Sequence, residues 1–183
     1  MKLWQQMIIV IGLLLFGSLP VFAAFENEPA DRSAYESYRP YESSANAQKF
    51  LAHTVKHLSE GTMGGSIPLQ TTRDELQANY GLQESEIVSP VPNAHFFERD
   101  GYRYFLNRIN GESTVMVIQA PFAPLTKEEI FEVVGDQPWY GGKRQHQIIY
   151  KLDRYMLIFT HTDSKEQVYY NSVMISPLDP TKK

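Results

Sequence analysis

The chain has 183 residues, with 17 Lys or Arg against 21 Asp or Glu for a formal net charge of −4, and it has no cysteine. That balance argues against a nucleic-acid partner, whose phosphates need clustered basic side chains, and no basic run is long enough to favour an anionic membrane. Without cysteine there is no disulfide and no lipidated thiol, so stability must come from burial, which a domain of more than about 100 residues can supply.

Lys2 precedes the apolar run Met7 to Phe16, and Val21-Phe22-Ala23 follows Pro20. This is the order of a secretory signal peptide, with cleavage expected after Ala23. The alternative is an uncleaved N-terminal membrane anchor, since Met7 to Ala24 is long enough to approach a span. Removal of residues 1–23 takes away one basic side chain and is expected to leave a secreted bacterial protein, extracellular or associated with the cell envelope, with no membrane segment. A cysteine-free composition is compatible with that compartment.

Residues 24–46 are polar, contain Pro29 and Pro40, and show neither a helical nor an alternating period, so a disordered linker is expected. Tyr35, Tyr38 and Tyr41 fall three apart within it, without apolar company. From Ala47 to Glu60 the period becomes helical: Leu51, Val55 and Leu58 share a face, Phe50 flanks it, and Gly61 ends it. The Gly-rich "EGTMGGS" that follows lacks the lysine and preceding strand of a phosphate loop and reads as a connection.

Two stretches then align without a gap, "TTRDELQANYG" (71–81) and "LTKEEIFEVVG" (125–135). Each is a capping box: the hydroxyl of Thr72 or Thr126 accepts from the backbone three residues on, and Glu75 or Glu129 reaches back. Gly81 and Gly135 are expected to end the helices in the left-handed conformation. Leu125 can pack on Ile130 as a hydrophobic staple.

Three strand-like runs follow each helix. The first set is Ala94 to Arg99, Tyr102 to Ile109 and Ser113 to Ala120, with Asp100-Gly101 and Asn110-Gly111 as hairpin turns. The second is Arg144 to Leu152, Tyr155 to Thr162 and Val168 to Ser176. Both alternating sets of Tyr155 to Phe159 are apolar, which predicts a strand covered on both faces, whereas Val168 to Ser176 has the mixture of a half-exposed one. The predicted fold is α+β: two tandem repeats of a helix plus a three-stranded antiparallel meander, at about 64–120 and 121–177. An additional N-terminal helix joins them in one domain, 47–178, with a short tail at 179–183.

"GGSIPLQTTRDELQANYG", "YRYFLNRINGESTVMVIQAPFAPLTKEEIFEVVG" and "YKLDRYMLIFTHTDSKEQVYYNSVMISP" resemble the YjgB-like family of secreted Bacillus proteins, a domain family of uncharacterised function, over about residues 64–177. The resemblance implies a tandem helix-plus-sheet repeat, similar in plan to β-lactamase-inhibitor-protein and SmpA/OmlA-type domains. None of those is an enzyme, and the resemblance carries over no catalytic or ligand residue.

Candidates for chemistry are sparse. His53 and His57 are four apart with Glu60 one turn on, a weak pattern for zinc because the glutamate of the zinc-protease signature is replaced by Thr54. No serine occupies a Gly-x-Ser-x-Gly elbow. The pairs Asp74/Glu75 and Glu128/Glu129 fall in first helical turns, where they favour the helix dipole, and Glu84/Glu86 completes the carboxylate pairs. Neither a cofactor nor a metal is expected. A small metal-assisted hydrolase using His53 or His146 remains the alternative to a non-catalytic role.

The stretch "QPWYGGKR" offers the best binding candidates: Trp139, Tyr140, Lys143 and Arg144, rigid aromatics beside cations among turn residues. The competing reading, slightly favoured by the gain from burial, has Trp139 folded back over one end of the core. The expected function is therefore an exported, non-catalytic domain, monomeric, binding a protein or cell-envelope component through its sheet face and loops. Inhibition of a secreted hydrolase is a narrower alternative.

Overall fold

Among the described residues, every α-helix starts behind a hydroxyl side chain that accepts a backbone N–H, which satisfies one of the amide groups left unpaired in a first turn. The structure, a computed structural model, describes residues 33–91, 94–109, 112–139, 147–152, 154–162 and 168–178. The signal segment expected at 1–23 and the tail at 179–183 lie outside them. Helix α1 (Ala34–Tyr38) follows Ser33, and α2 (Ser44–His57) follows Ser43 and continues as a 3-10 turn, Leu58–Glu60. Helices α3 (Arg73–Tyr80) and α4 (Lys127–Val134) follow Thr72 and Thr126, each with the full reciprocal capping box. Gly81 ends α3 with φ 68° in the left-handed region, but Gly135 stands at φ 114° and ψ 156°. That region is essentially confined to glycine, so Gly135 extends the chain away from α4 instead of winding it back. No helix among the described residues is long and apolar enough to cross a membrane.

The strands are β1 (Val88–Val91), β2 (Ala94–Arg99), β3 (Tyr102–Ile109), β4 (Glu112–Leu125), β5 (Gln147–Leu152), β6 (Tyr155–Thr162) and β7 (Tyr169–Pro177). Among the described residues they form one antiparallel sheet in the order β1-β2-β3-β4-β7-β6-β5. The protein is thus α+β. Two points differ from the expected strands. Strand β1 was not expected; it contains Pro90, which cannot donate to a ladder, and it lies at a sheet edge where that costs least. Strand β4 runs past Ala120 through two prolines to Leu125, with an irregularity in its pairing to β7 between Pro121 and Leu125. The expected start of β5, 144–146, lies outside the described residues.

Alternation sorts the sheet into two faces. Phe97, Tyr102, Tyr104, Ile118, Leu157 and Val173 are buried on one face and share a single core with Phe50, Leu51, Leu76 and Ile130 of the helices. The other face carries Phe96, Phe105, Val117, Met174, Ile158 and Ile149, all half-buried and none belonging to that core. This corrects the expectation for Tyr155 to Phe159: Leu157 and Phe159 are covered, whereas Met156 and Ile158 belong to the open face.

Two further corrections concern segments taken for linkers. Residues 33–46, the described part of the expected disordered spacer, contain α1 and the start of α2. Tyr35 is buried there, with ring centroids 5.7 Å from Phe50 and 5.6 Å from Tyr102. Ser33 Oγ donates to the Asp100 carbonyl, tying the segment to the β2–β3 turn. An aromatic side chain buries about 150–250 Å², so one ring anchors a segment that lacks any apolar period. The "EGTMGGS" connection is also packed: Met63 is fully buried and its carbonyl accepts from Tyr102 Oη at 2.8 Å.

Candidate functional site

Extended Gly135 sends residues 135–139 along edge strand β5, and the phenol of Tyr150 on β5 donates to the Gly135 carbonyl at 2.6 Å. This bond pins the loop to the sheet. Burial, and secondarily the charge of Asp136, push the Tyr150 hydroxyl up to about 12, so it stays a donor through neutral pH. Between loop and strand lies an open depression of about 500 Å³, with Val134 and Leu152 as its apolar part and Asp136, Gln137, Trp139 and Lys151 among its lining.

Trp139 does not fold back over the core; it is 58% exposed. The Lys151 ammonium lies 3.7 Å from its ring centroid, a cation on the electron-rich indole face. Lys151 alternates with Tyr150 on β5 and so belongs to the set of the open sheet face. The other three predicted binding residues, Tyr140, Lys143 and Arg144, lie outside the described residues. Asp136, Tyr150 and Lys151 escaped the sequence reading, because only the folding of the loop against β5 brings them to Trp139. A hint lay in the glycine that ends α4 directly before Asp136.

The open face has a pattern of its own. Strand register sets Glu98, Arg103, Gln119, Met174, Ile158 and Ile149 in one row across the sheet. A neighbouring row holds Phe96, Phe105 and Val117, with the first two rings 5.6 Å apart. The apolar members form a diagonal band, flanked on one side by the Glu98–Arg103 ion pair and by Gln119, Ser172 and Thr160, which are joined by hydrogen bonds.

The structure brings His53, His57 and Glu60 together, but in a structural setting. His53 is buried, its Nδ1 3.4 Å from Tyr38 Oη, and its ring centroid lies 4.2 Å from that of His57 with the planes tilted by 34°. His57 Nδ1 meets Glu60 Oε2 at 3.0 Å. Among the described residues no group of three or more His, Cys, Asp or Glu is arranged to hold a metal ion. His161 packs edge-on to Tyr170, His95 is half-buried on β2, and His146 lies outside the described residues. Four of the six paired carboxylates are likewise engaged: Glu75 and Glu129 cap helices, Glu84 pairs with Arg73, and Glu86 caps the Gln83 amide.

Comparison with solved structures finds a likeness to the crystal structure of a DUF4309 family protein, YjgB, from Bacillus subtilis. The two share 15% sequence identity and a TM-score of 0.48, over 72% of this chain and 97% of that one. This is the same YjgB-like family that the sequence motifs resemble. No family model matches the chain, and no curated protein matches it.

Proposed function

We propose that this chain is an exported, non-catalytic domain that binds a protein or cell-envelope component through the open sheet face and the Trp139 loop. The observation that carries this is the exposed indole of Trp139, held over Lys151 beside an open groove. Exposure of a large aromatic forgoes much of the free energy of its burial, which a partner recovers on docking. The half-buried Phe, Met and Ile side chains of the sheet face have the composition of an interface centre, rich in aromatic residues and methionine and depleted of charge.

A non-catalytic role is supported by what the candidate acids and bases already do. Glu75 and Glu129 are spent on caps, Glu84 on Arg73, and His57 on Glu60. Export rests on the charge, apolar run and small residues of the first 23 positions. We further propose a duplicated architecture. In its favour are the two capping boxes, the helix-then-meander order of each half, and a sheet in which β4 and β7, the last strand of each meander, are neighbours.

Retention of the purified chain on isolated cell walls and on immobilised exported proteins tests the reading. Trp139→Ala and Ile158→Lys are each expected to lower retention while circular dichroism and cooperative melting stay as in the parent. Unchanged retention in both variants overturns it.

A further inference from the structure

We infer that the Trp139 groove is a saccharide site, in which one pyranose ring stacks on the indole and its hydroxyls are held by Asp136, Gln137 and Lys151. This deepens the binding role proposed above and rests on it. The chemistry of the rim points to the ligand class. Asp136 offers only acceptors, Lys151 only donors, and Gln137 both, and all three side chains are exposed at one groove. A ligand carrying a single charge satisfies one of the first two and opposes the other. A hydroxyl both donates and accepts, so a ring of hydroxyls satisfies all three at once.

The rest of the groove agrees. The Lys151 ammonium 3.7 Å from the indole centroid marks that electron-rich face as one that draws positively polarised groups. The C–H bonds on one side of a pyranose are such groups, and they form a flat apolar surface of ring size. A protein anchor needs an enclosing rim that keeps water out; this depression is open, and its apolar side chains Val134 and Leu152 are few. Its volume of about 500 Å³ falls in the range of small-ligand sites. Pinning of the loop by the Tyr150–Gly135 bond presents these groups without a large ordering cost on binding.

The test uses the full chain carrying Trp4→Phe, so that Trp139 is the remaining tryptophan. Emission is followed while cellotetraose, the N-acetylglucosamine tetramer and tetragalacturonate are each titrated, with calorimetry giving Kd. At least one of the three is expected to bind saturably and shift the emission to the blue. Calorimetry on Trp139→Ala is expected to show binding weakened about tenfold or more, with Trp139→Phe retaining part of it. Asp136→Asn, which keeps a hydroxyl-binding oxygen, is expected to cost less than Asp136→Ala. Saturable binding that ignores Trp139→Ala overturns the inference. So does the absence of binding by all three sugars, and the wall and protein retention assay then separates two cases. Retention that depends on Trp139 leaves the binding role standing with a non-saccharide partner, and its loss removes both.

Discussion

The Tyr150 hydroxyl and the Gly135 carbonyl, 2.6 Å apart, join edge strand β5 to the loop that carries Trp139. The phenol's folded pKa is raised to about 12, first by burial and then by Asp136, above an unfolded value near 10. For a raised pKa the stabilising contribution is fully present below the unfolded value and is lost as pH rises through the folded one. Stability of the parent protein is therefore expected to decline between about pH 10 and 12. Tyr150→Phe removes this component and loses a hydrogen bond worth about 0.5–1.5 kcal/mol at neutral pH. Urea denaturation at pH 8, 10 and 11 checks both; an equal alkaline slope in parent and variant refutes the assignment.

The capping boxes predict behaviour at the acid end. Glu75 accepts first from the Thr72 amide and then from the Thr72 hydroxyl, and these bonds hold its carboxyl below the usual range. Its contribution is present above the unfolded value and lost as pH falls through the depressed folded one. Glu75→Gln is expected to flatten the acid limb of the stability curve, read by thermal melts between pH 6 and 3. Thr126→Ala, which removes the acceptor of the Glu129 amide in the second box, is expected to cost about 1 kcal/mol at neutral pH.

Tyr35 and Gly101 test whether residues 33–38 belong to the folded domain. A Cβ at Gly101 lies 1.9 Å from the Tyr35 ring, and the glycine has φ +83°. Gly101→Ala is expected to destabilise by at least about 1–3 kcal/mol through backbone strain, with displacement of the ring added. Tyr35→Ala empties a core position and is expected to cost about 3 kcal/mol. In both variants limited proteolysis cuts within residues 33–43 faster than in the parent. Resistance equal to the parent's identifies α1 as dispensable.

Local chemistry with a fixed spacing is legible in the sequence. Thr72 with Glu75, Thr126 with Glu129, and the Asp100-Gly101 turn are contacts between near neighbours, and each formed where the spacing set it. Gly135 marks the limit of that logic, since the same residue type permits two positive-φ conformations and tertiary context chose the less common one. Tyr35 and Met63 were misread because single anchors carry no period; their burial depends on Phe50 and Tyr102, distant in sequence. Ile158 was misread for the opposite reason. An apolar residue fits a covered face and a binding face equally well, and only the position of the helices separates the two. At the groove, Trp139 was visible as an aromatic among turn residues, whereas Lys151 and Asp136 became relevant only through the pairing of loop and strand.

Exposure of Trp139 gives a spectroscopic prediction that separates it from a core plug. With the indole 58% exposed and an ammonium 3.7 Å from its centroid, emission of the Trp4→Phe chain is expected to be red-shifted and readily quenched by iodide or acrylamide. Positive charge beside the ring favours iodide as the stronger quencher at low salt, and screening over a Debye length of about 10 Å at 0.1 M removes that preference. Lys151→Gln should therefore lower iodide quenching at low ionic strength and leave acrylamide quenching alone. Loss of the cation over the ring is expected to cost about 0.5–1 kcal/mol at such an exposed position. Trp139→Ala should be comparably mild, because little apolar area leaves the core. A blue-shifted, quencher-resistant spectrum, or a loss of several kcal/mol in Trp139→Ala, assigns the indole to the interior and removes the groove's binding role with it.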